Sequence, residues 1–322
     1  MTRSACLVFN PVAGQGDADQ DLATIRGFLE PEITLDIKIT TPEVDAGELA
    51  QTAIKEGAEA ILASGGDGTL SAAAEALVGT KIPLGIISRG TANAFANALG
   101  LPDSIEDACQ AILGGQTKVV DAASCNGKPM VLLAGIGFEA ETVDLADRDT
   151  KKRLGILAYV LSGLKQLREL ESFDAEIETD EQVIKVTAAA ITIANAAPAT
   201  SVLAQGPAGV IYDDGLLDVT IVAPENAPGA IAASLHLLQS ALMGNAADRD
   251  DIGYLRAKRV KVTTTPPQKV ALDGEIIGTT PIEVECIPQS LTVFFPGSPE
   301  PTLVEKLEGL PNLVVENKAA TD

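Results

Sequence analysis

The chain has 322 residues, 46% of them apolar, which is enough for two domains with substantial cores and too apolar for a disordered polymer. A formal charge of −22 opposes nucleic-acid binding and broad adhesion to anionic lipid, so membrane contact is expected to be local and brief. The single histidine, His236, argues against Ser–His–Asp hydrolysis and His-rich zinc chemistry, and four scattered cysteines without a CxxC pair read as reduced core residues.

The opening MTRSACLVFN runs straight into a strand-like segment without an apolar signal region, and no stretch approaches the ~20 apolar residues of a membrane span. A soluble cytoplasmic protein, at most peripheral at the membrane, is expected. Residues 5–9 read as a buried strand followed by Asn10, Pro11 and Gly14. Residues 33–39 read as a strand, 48–56 as a helix and 60–63 as another apolar strand. Helices are expected over 69–78, 92–99 and 105–113, with a strand over 84–87. Strands spaced by single helices predict a doubly wound parallel sheet, and its ligands sit beyond the carboxyl ends of the strands. The Gly-rich segments 10–16, 65–68 and 90–93 all fall there.

After Asp121 the texture changes to short strands between turns: 130–134, 173–178, 183–194, 217–222, 260–265, 269–272, 282–286 and 291–295. Two helices, 153–170 and 230–243, interrupt them. This predicts a domain over 1–122, a mainly antiparallel β-sandwich domain over 123–296, and a mobile tail over 297–322.

Gly65, Gly66 and Gly68 follow a strand and precede a helix that opens at Thr69 or Leu70. Glycines let the backbone present N–H groups to an anion, and the helix N-terminus adds positive potential. No GxxxxGK[ST] occurs, so this is a phosphate cradle of another kind. Asp67 inside it would repel phosphate unless Mg²⁺ bridges the two or the carboxylate handles a proton; a plain Asp-Gly turn is the alternative. Thr91 either caps the following helix or contacts a nucleotide. Gly135-x-Gly137-x-x-Ala140 matches a dinucleotide fingerprint only superficially, lacking the βαβ unit and the later acid. Asp214, the acids over 248–251, and the pair Asp273 and Glu275 all read first as solvated turn residues. Arg148, Lys151, Lys152, Arg153, Lys165 and Arg168 form a basic island along an apolar helix, which either snorkels around the core or touches a bilayer.

The run Ser64-Gly65-Gly66-Asp67-Gly68-Thr69 resembles the signature shared by diacylglycerol kinases, sphingosine kinases, NAD kinases and phosphofructokinases. Asn10-Pro11-x-x-Gly14, Gly90-Thr91-Ala92-Asn93, Gly135-Ile136-Gly137-Phe138, Asp213-Asp214-Gly215-Leu216-Leu217-Asp218 and Leu272-Asp273-Gly274-Glu275 together resemble the diacylglycerol kinase superfamily, nearest its bacterial YegS-like branch. The resemblance implies an NAD-kinase/phosphofructokinase-like first domain and an ATP-dependent lipid kinase, most simply converting diacylglycerol to phosphatidic acid. It implies ATP at Asn10, Thr40, Gly65, Gly66, Asp67, Gly68, Thr69, Leu70, Ser71 and Thr91, and a structural Mg²⁺ at Asp214 and the carbonyls of Ile211 and Leu216. It makes Glu275 the proton acceptor, aided by Asp273, with Asp67 on the metal side. Ala94 stands where the family carries Asp, which keeps a nucleotide- or lipid-binding regulator as one alternative; an NAD kinase is the other. A transient membrane surface, a lipid substrate and a homodimer are the partners expected.

Overall fold

The computed structural model describes residues 3–14, 16–137, 172–198, 201, 204, 209–223 and 251–296. β1 (Arg3–Phe9), β2 (Ile33–Ile39), β3 (Ile61–Gly65) and β4 (Leu84–Ser88) run parallel in the order β2-β1-β3-β4. β3 and β4 are buried at every residue, as strands covered on both faces must be. α1 (Ala18–Leu29) and α5 (Ile105–Gly114) cover one face, where Leu7, Phe9, Ile25 and Ile112 share a core. α2 (Ala46–Lys55) and α3 (Asp67–Leu77) cover the other with Val8, Ala50, Leu70 and Ala73. α1 is additional to the sequence reading. It starts at Asp17, whose carboxylate accepts from the N–H groups of Asp19 at 2.9 Å and Gln20 at 3.3 Å.

The second half adds β5 (Thr117–Cys125), β6 (Lys128–Met130), β8 (Phe173–Thr179), β9 (Val183–Ala188), β13 (Arg259–Thr265) and β16 (Ile282–Phe294) to the same sheet. A second, antiparallel sheet has the order β12-β11-β10-β7-β14-β15, from Ile252–Ala257, Leu217–Val222, Ala190–Ala194, Leu133–Gly137, Lys269–Leu272 and Glu275–Thr279. Ile136, Ile191 and Val219 of this sheet share a core with Ile177, Val260 and Val284 of the first. The architecture is therefore a parallel α/β unit joined to an antiparallel β-sandwich. All four cysteines are free and buried, and no described helix is long and apolar enough to cross a membrane.

The structure changes several element boundaries. Residues 130–134 form two strands, because the N–H groups of Val131, Leu132 and Leu133 turn to the Asp273 carboxylate. Residues 183–194 are also two strands, parting at Ala189 to enter different sheets. Residues 282–286 and 291–295 belong instead to the one strand β16, continuous through an irregularity between Ile287 and Leu291. α4 (Ala94–Leu99) opens later than its apolar pattern suggests, since Asn93 takes left-handed backbone at φ 47°. β5, β12 and β15 are additional strands. The expected helices over 153–170 and 230–243, with the basic island and His236, and the tail from 297 lie outside the described residues.

Gly135 sits inside β7, paired with both β10 and β14, and Gly137 ends that strand paired with β10, so they are strand residues and not a dinucleotide loop. Gly137 holds φ 76°, and a Cβ there would lie 2.6 Å from the Phe173 ring and 2.7 Å from the Ala189 carbonyl oxygen. Gly137→Ala is accordingly expected to destabilise the fold by about 1–3 kcal/mol in denaturant unfolding. Gly27→Ala on exposed α1, where a Cβ meets nothing within 4 Å, should stabilise it by about 0.5–1 kcal/mol.

Candidate active site

Three loops meet at the carboxyl ends of β1, β3 and β4. β3 ends at Gly65, where a Cβ would lie 2.6 Å from the Thr69 side chain; glycine therefore lets the first turn of α3 fold back over the strand. Asn10, just past β1, donates its N–H to the Ser64 carbonyl at 2.9 Å and its Nδ2 to Thr69 Oγ1 at 2.8 Å. Thr40 closes β2 by donating its N–H to the Phe9 carbonyl at 2.9 Å, which puts it along the same edge. Gly90 packs on Gly66, and a Cβ on Gly90 would lie 2.9 Å from the Gly66 Cα. Gly66 is the N-cap of α3 and provides no side-chain cap for that helix, so the first-turn N–H groups at Asp67 and Gly68, with the helix dipole, favour an anion at this end.

Asp67 has a structural task that the sequence did not announce. Its Oδ1 accepts the Ala94 N–H, capping α4 from another helix. The residue that replaces the family Asp thus touches Asp67 through its backbone, and Asp67 retains Oδ2 for a further partner. Thr91 is exposed and does not cap α4, whose N-cap is Asn93, so the capping alternative fails. Leu70 is buried in the core below the loop. Ser71 is buried as well, and its Oγ, like those of Ser64 and Ser88, has no hydrogen-bond partner.

The acidic turn of the second half sits on the β14–β15 hairpin. Asp273 and Gly274 both take positive φ, 46° and 90°, the two-residue geometry that matches strand twist. The Asp273 carboxylate accepts N–H bonds from Val131 at 2.8 Å, Leu132 at 3.0 Å and Leu133 at 2.8 Å. Burial raises its pKa to about 6 even though those three donors favour the anion. Asp273 is therefore a fixed internal anchor, whereas Glu275, two residues on, is exposed. Only Glu275 keeps the solvated character read from sequence.

Glu75 is the site residue that sequence reasoning missed. It lies on α3, half-buried, and its pKa is raised to about 7, first by burial and then by the charges of Asp273, Glu275 and Asp45. Val131 and Leu132, whose N–H groups hold Asp273, share a core with Leu70, Ala73 and Leu77 of α3, so the acidic turn lies near the helix that begins at the glycine loop. The available signal was a lone acid within the alanine run 72–76.

Ile211, Asp214 and Leu216 lie in the turn before β11. The Asp214 carboxylate accepts the Leu216 N–H at 3.2 Å and pairs with Arg256, whose Nε reaches buried Asp218 at 3.1 Å. Asp121 ties the same turn down through the Gly215 N–H at 2.6 Å. The donor set is oxygen-only, as Mg²⁺ prefers, but Arg256 already supplies the positive charge. Asp67, by contrast, sits in the first turn of α3 with Oδ1 engaged by the Ala94 N–H, and its Oδ2 would suit a Mg²⁺ ion at that helix end.

Comparison with known proteins gives a consistent picture. The diacylglycerol kinase catalytic domain family matches residues 4–125, and the YegS C-terminal NAD kinase beta sandwich-like domain matches residues 133–295. An uncharacterized protein of Synechocystis is 51% identical over 306 residues, covering 92% of this chain and 71% of its own. A diacylglycerol kinase of Bacillus subtilis is 29% identical over 300 residues, covering 91% and 97%. A solved Bacillus anthracis structure superposes with TM-score 0.77 at 28% identity, covering 92% of this chain and 98% of its own.

The raised pKa of Glu75 has a thermodynamic consequence. Folded Glu75 holds its proton up to about pH 7, while the unfolded group releases it near its ordinary 4.5, so stability falls as pH rises through that window. Glu75→Gln should flatten this slope and raise Tm at pH 8 by on the order of 2 °C, measured by thermal melts from pH 5 to 8.

Proposed function

The chain belongs to the diacylglycerol kinase catalytic-domain family, in its YegS-like lipid kinase branch, and from that premise we propose that it transfers the γ-phosphoryl group of ATP to a lipid hydroxyl, diacylglycerol first. The observation that supports this most is that Val131 and Leu132, which hold Asp273 of the acidic turn, pack in one core with α3, the helix that starts at the glycine loop. Glu75 follows Asp67 by eight residues, about 12 Å along the helix. That span accommodates the end of a phosphate chain and an acceptor hydroxyl between Asp67 and the turn.

In this reading the N–H groups of the Gly65–Thr69 segment and the α3 N-terminus hold the phosphates, with Asn10, Thr40 and Thr91 along the rim. Asp67 would hold Mg²⁺, which would supply charge neutralisation for the phosphates. Leu70 supports the loop from the core, and Ser71 contributes its buried hydroxyl to the same helix turn. Glu275 accepts the hydroxyl proton as the acceptor oxygen bonds to the γ-phosphorus, and the bond from phosphorus to the β-side oxygen breaks to release ADP. Asp273 positions Glu275 through its three backbone bonds. Catalysis is then positioning and charge neutralisation. The Ile211–Leu216 turn serves structure, and Arg256 balances its charge without requiring a second Mg²⁺. In this reading the enzyme is cytoplasmic and its net charge of −22 keeps contact with an anionic lipid surface brief; a homodimer is compatible with it.

Asp67→Asn and Glu275→Gln are each expected to lower kcat by on the order of 10²-fold or more, with labelled ATP and diacylglycerol, phosphatidylglycerol, sphingosine and NAD as acceptors. Near-normal turnover in both variants would remove the mechanism. Transfer to NAD alone would make the protein an NAD kinase, and ATP binding without transfer would make it a regulator.

A further inference from the structure

Arg89 follows β4 and is the single basic residue within the three loop segments 10–16, 65–69 and 89–94. Its side chain is 1% exposed. Nε donates to Asp21 Oδ2 at 2.8 Å, Nη1 donates to the Asn10 carbonyl at 2.9 Å, and the guanidinium lies 4.4 Å from the centre of the Phe9 ring. A guanidinium has five N–H donors in a rigid fork, and here the Nη2 end has no hydrogen-bond partner although it is buried. A buried charged donor without an acceptor is costly, so its persistence asks for a ligand oxygen.

Asp21 and the Asn10 carbonyl fix the guanidinium so that its free end lies beside Gly14. A Cβ on Gly14 would lie 3.8 Å from Nη2 and 2.9 Å from the Arg89 carbonyl oxygen, and Gly14 itself is exposed at φ 90°. The positive φ and the close approach to the Arg89 carbonyl oxygen call for glycine at this position, which places an exposed turn beside buried Nη2. The Asp21 charge that would repel an anion is already paired with Nε. On a chain of net charge −22, a polyphosphate needs a local cation, and the three loops offer no other side chain of that sign.

We propose that Arg89 is a phosphate-binding residue: its Nη2 donates to an oxygen of the nucleotide's phosphate chain as the Gly14 turn yields, while Asp21 and Asn10 hold the fork in line. The inference rests on the nucleotide reading above and deepens it. It assigns discrimination of polyphosphates from the bare nucleoside to one side chain anchored by α1.

The test is ligand binding, without turnover, by thermal shift and titration of the wild-type protein, Arg89→Lys and Arg89→Met with ATP, inorganic tripolyphosphate and adenosine. Both variants are expected to lose tenfold or more in affinity for ATP and tripolyphosphate while adenosine affinity stays within twofold. Arg89→Lys keeps the charge and the stem, so it carries the result should Arg89→Met fail to fold. Asp21→Asn supplies the structural control: a lowered Tm with ATP affinity intact in Asp21→Asn and in Arg89→Lys alike would show a purely architectural Arg89 and overturn the proposal. A wild-type protein that binds neither ATP nor tripolyphosphate would overturn the nucleotide reading itself, and this inference with it.

Discussion

One strand sets the relation between the two halves of this molecule. β16 pairs with β13 of the sandwich at Ile282–Glu285, with β4 of the parallel unit at Val293, and with β5 over most of its length. The hairpin that carries Asp273 and Glu275 leads directly into β16, separated by the short β15 strand and Thr280-Pro281. The acidic turn therefore cannot be placed independently of the parallel sheet. Backbone pairing, not a loop, holds it over α3.

Electrostatics then sharpen that placement. Asp273 is kept inside by three N–H donors from residues whose strand was interrupted to provide them. Burial first, and then the charges of Asp273, Glu275 and Asp45, raise the pKa of Glu75 on α3 into the neutral range. At the opposite end of α3, Asp67 joins the phosphate loop to α4 by accepting the Ala94 N–H. Repulsion concentrated along one helix is unfavourable for folding alone, and such sites are where function commonly resides.

Much of this was legible where local chemistry dictates backbone. The glycines at 65, 66 and 68 read as a turn that presents backbone N–H groups, and the close packing of Gly65 on Thr69 and of Gly90 on Gly66 shows why glycine stands at 65 and 90. Strands β1 to β4 and helices α2, α3 and α5 followed from apolar runs of the right length. What escaped was non-local. The breaks at Val131 and Ala189 depend on a carboxylate 140 residues away and on membership of different sheets. β16 reads as two strands because Pro288 and Gln289 interrupt its pattern, yet β5 keeps both parts in line. Glu75 and Arg89 carry no motif; their meaning comes from partners on other elements. Asp273 and Glu275 look equivalent in sequence, and only burial tells the anchor from the exposed acid.

The central claim is that α3 links the phosphate loop to the acidic turn of the sandwich in one site. A crystal structure of the protein with Mg²⁺ and a non-hydrolysable ATP analogue tests it most directly. The account predicts phosphates seated on the Gly66–Thr69 amides, with the terminal phosphate directed along α3 towards Glu275. Phosphates bound elsewhere, or a terminal phosphate directed away from the Asp273–Glu275 turn, would contradict it.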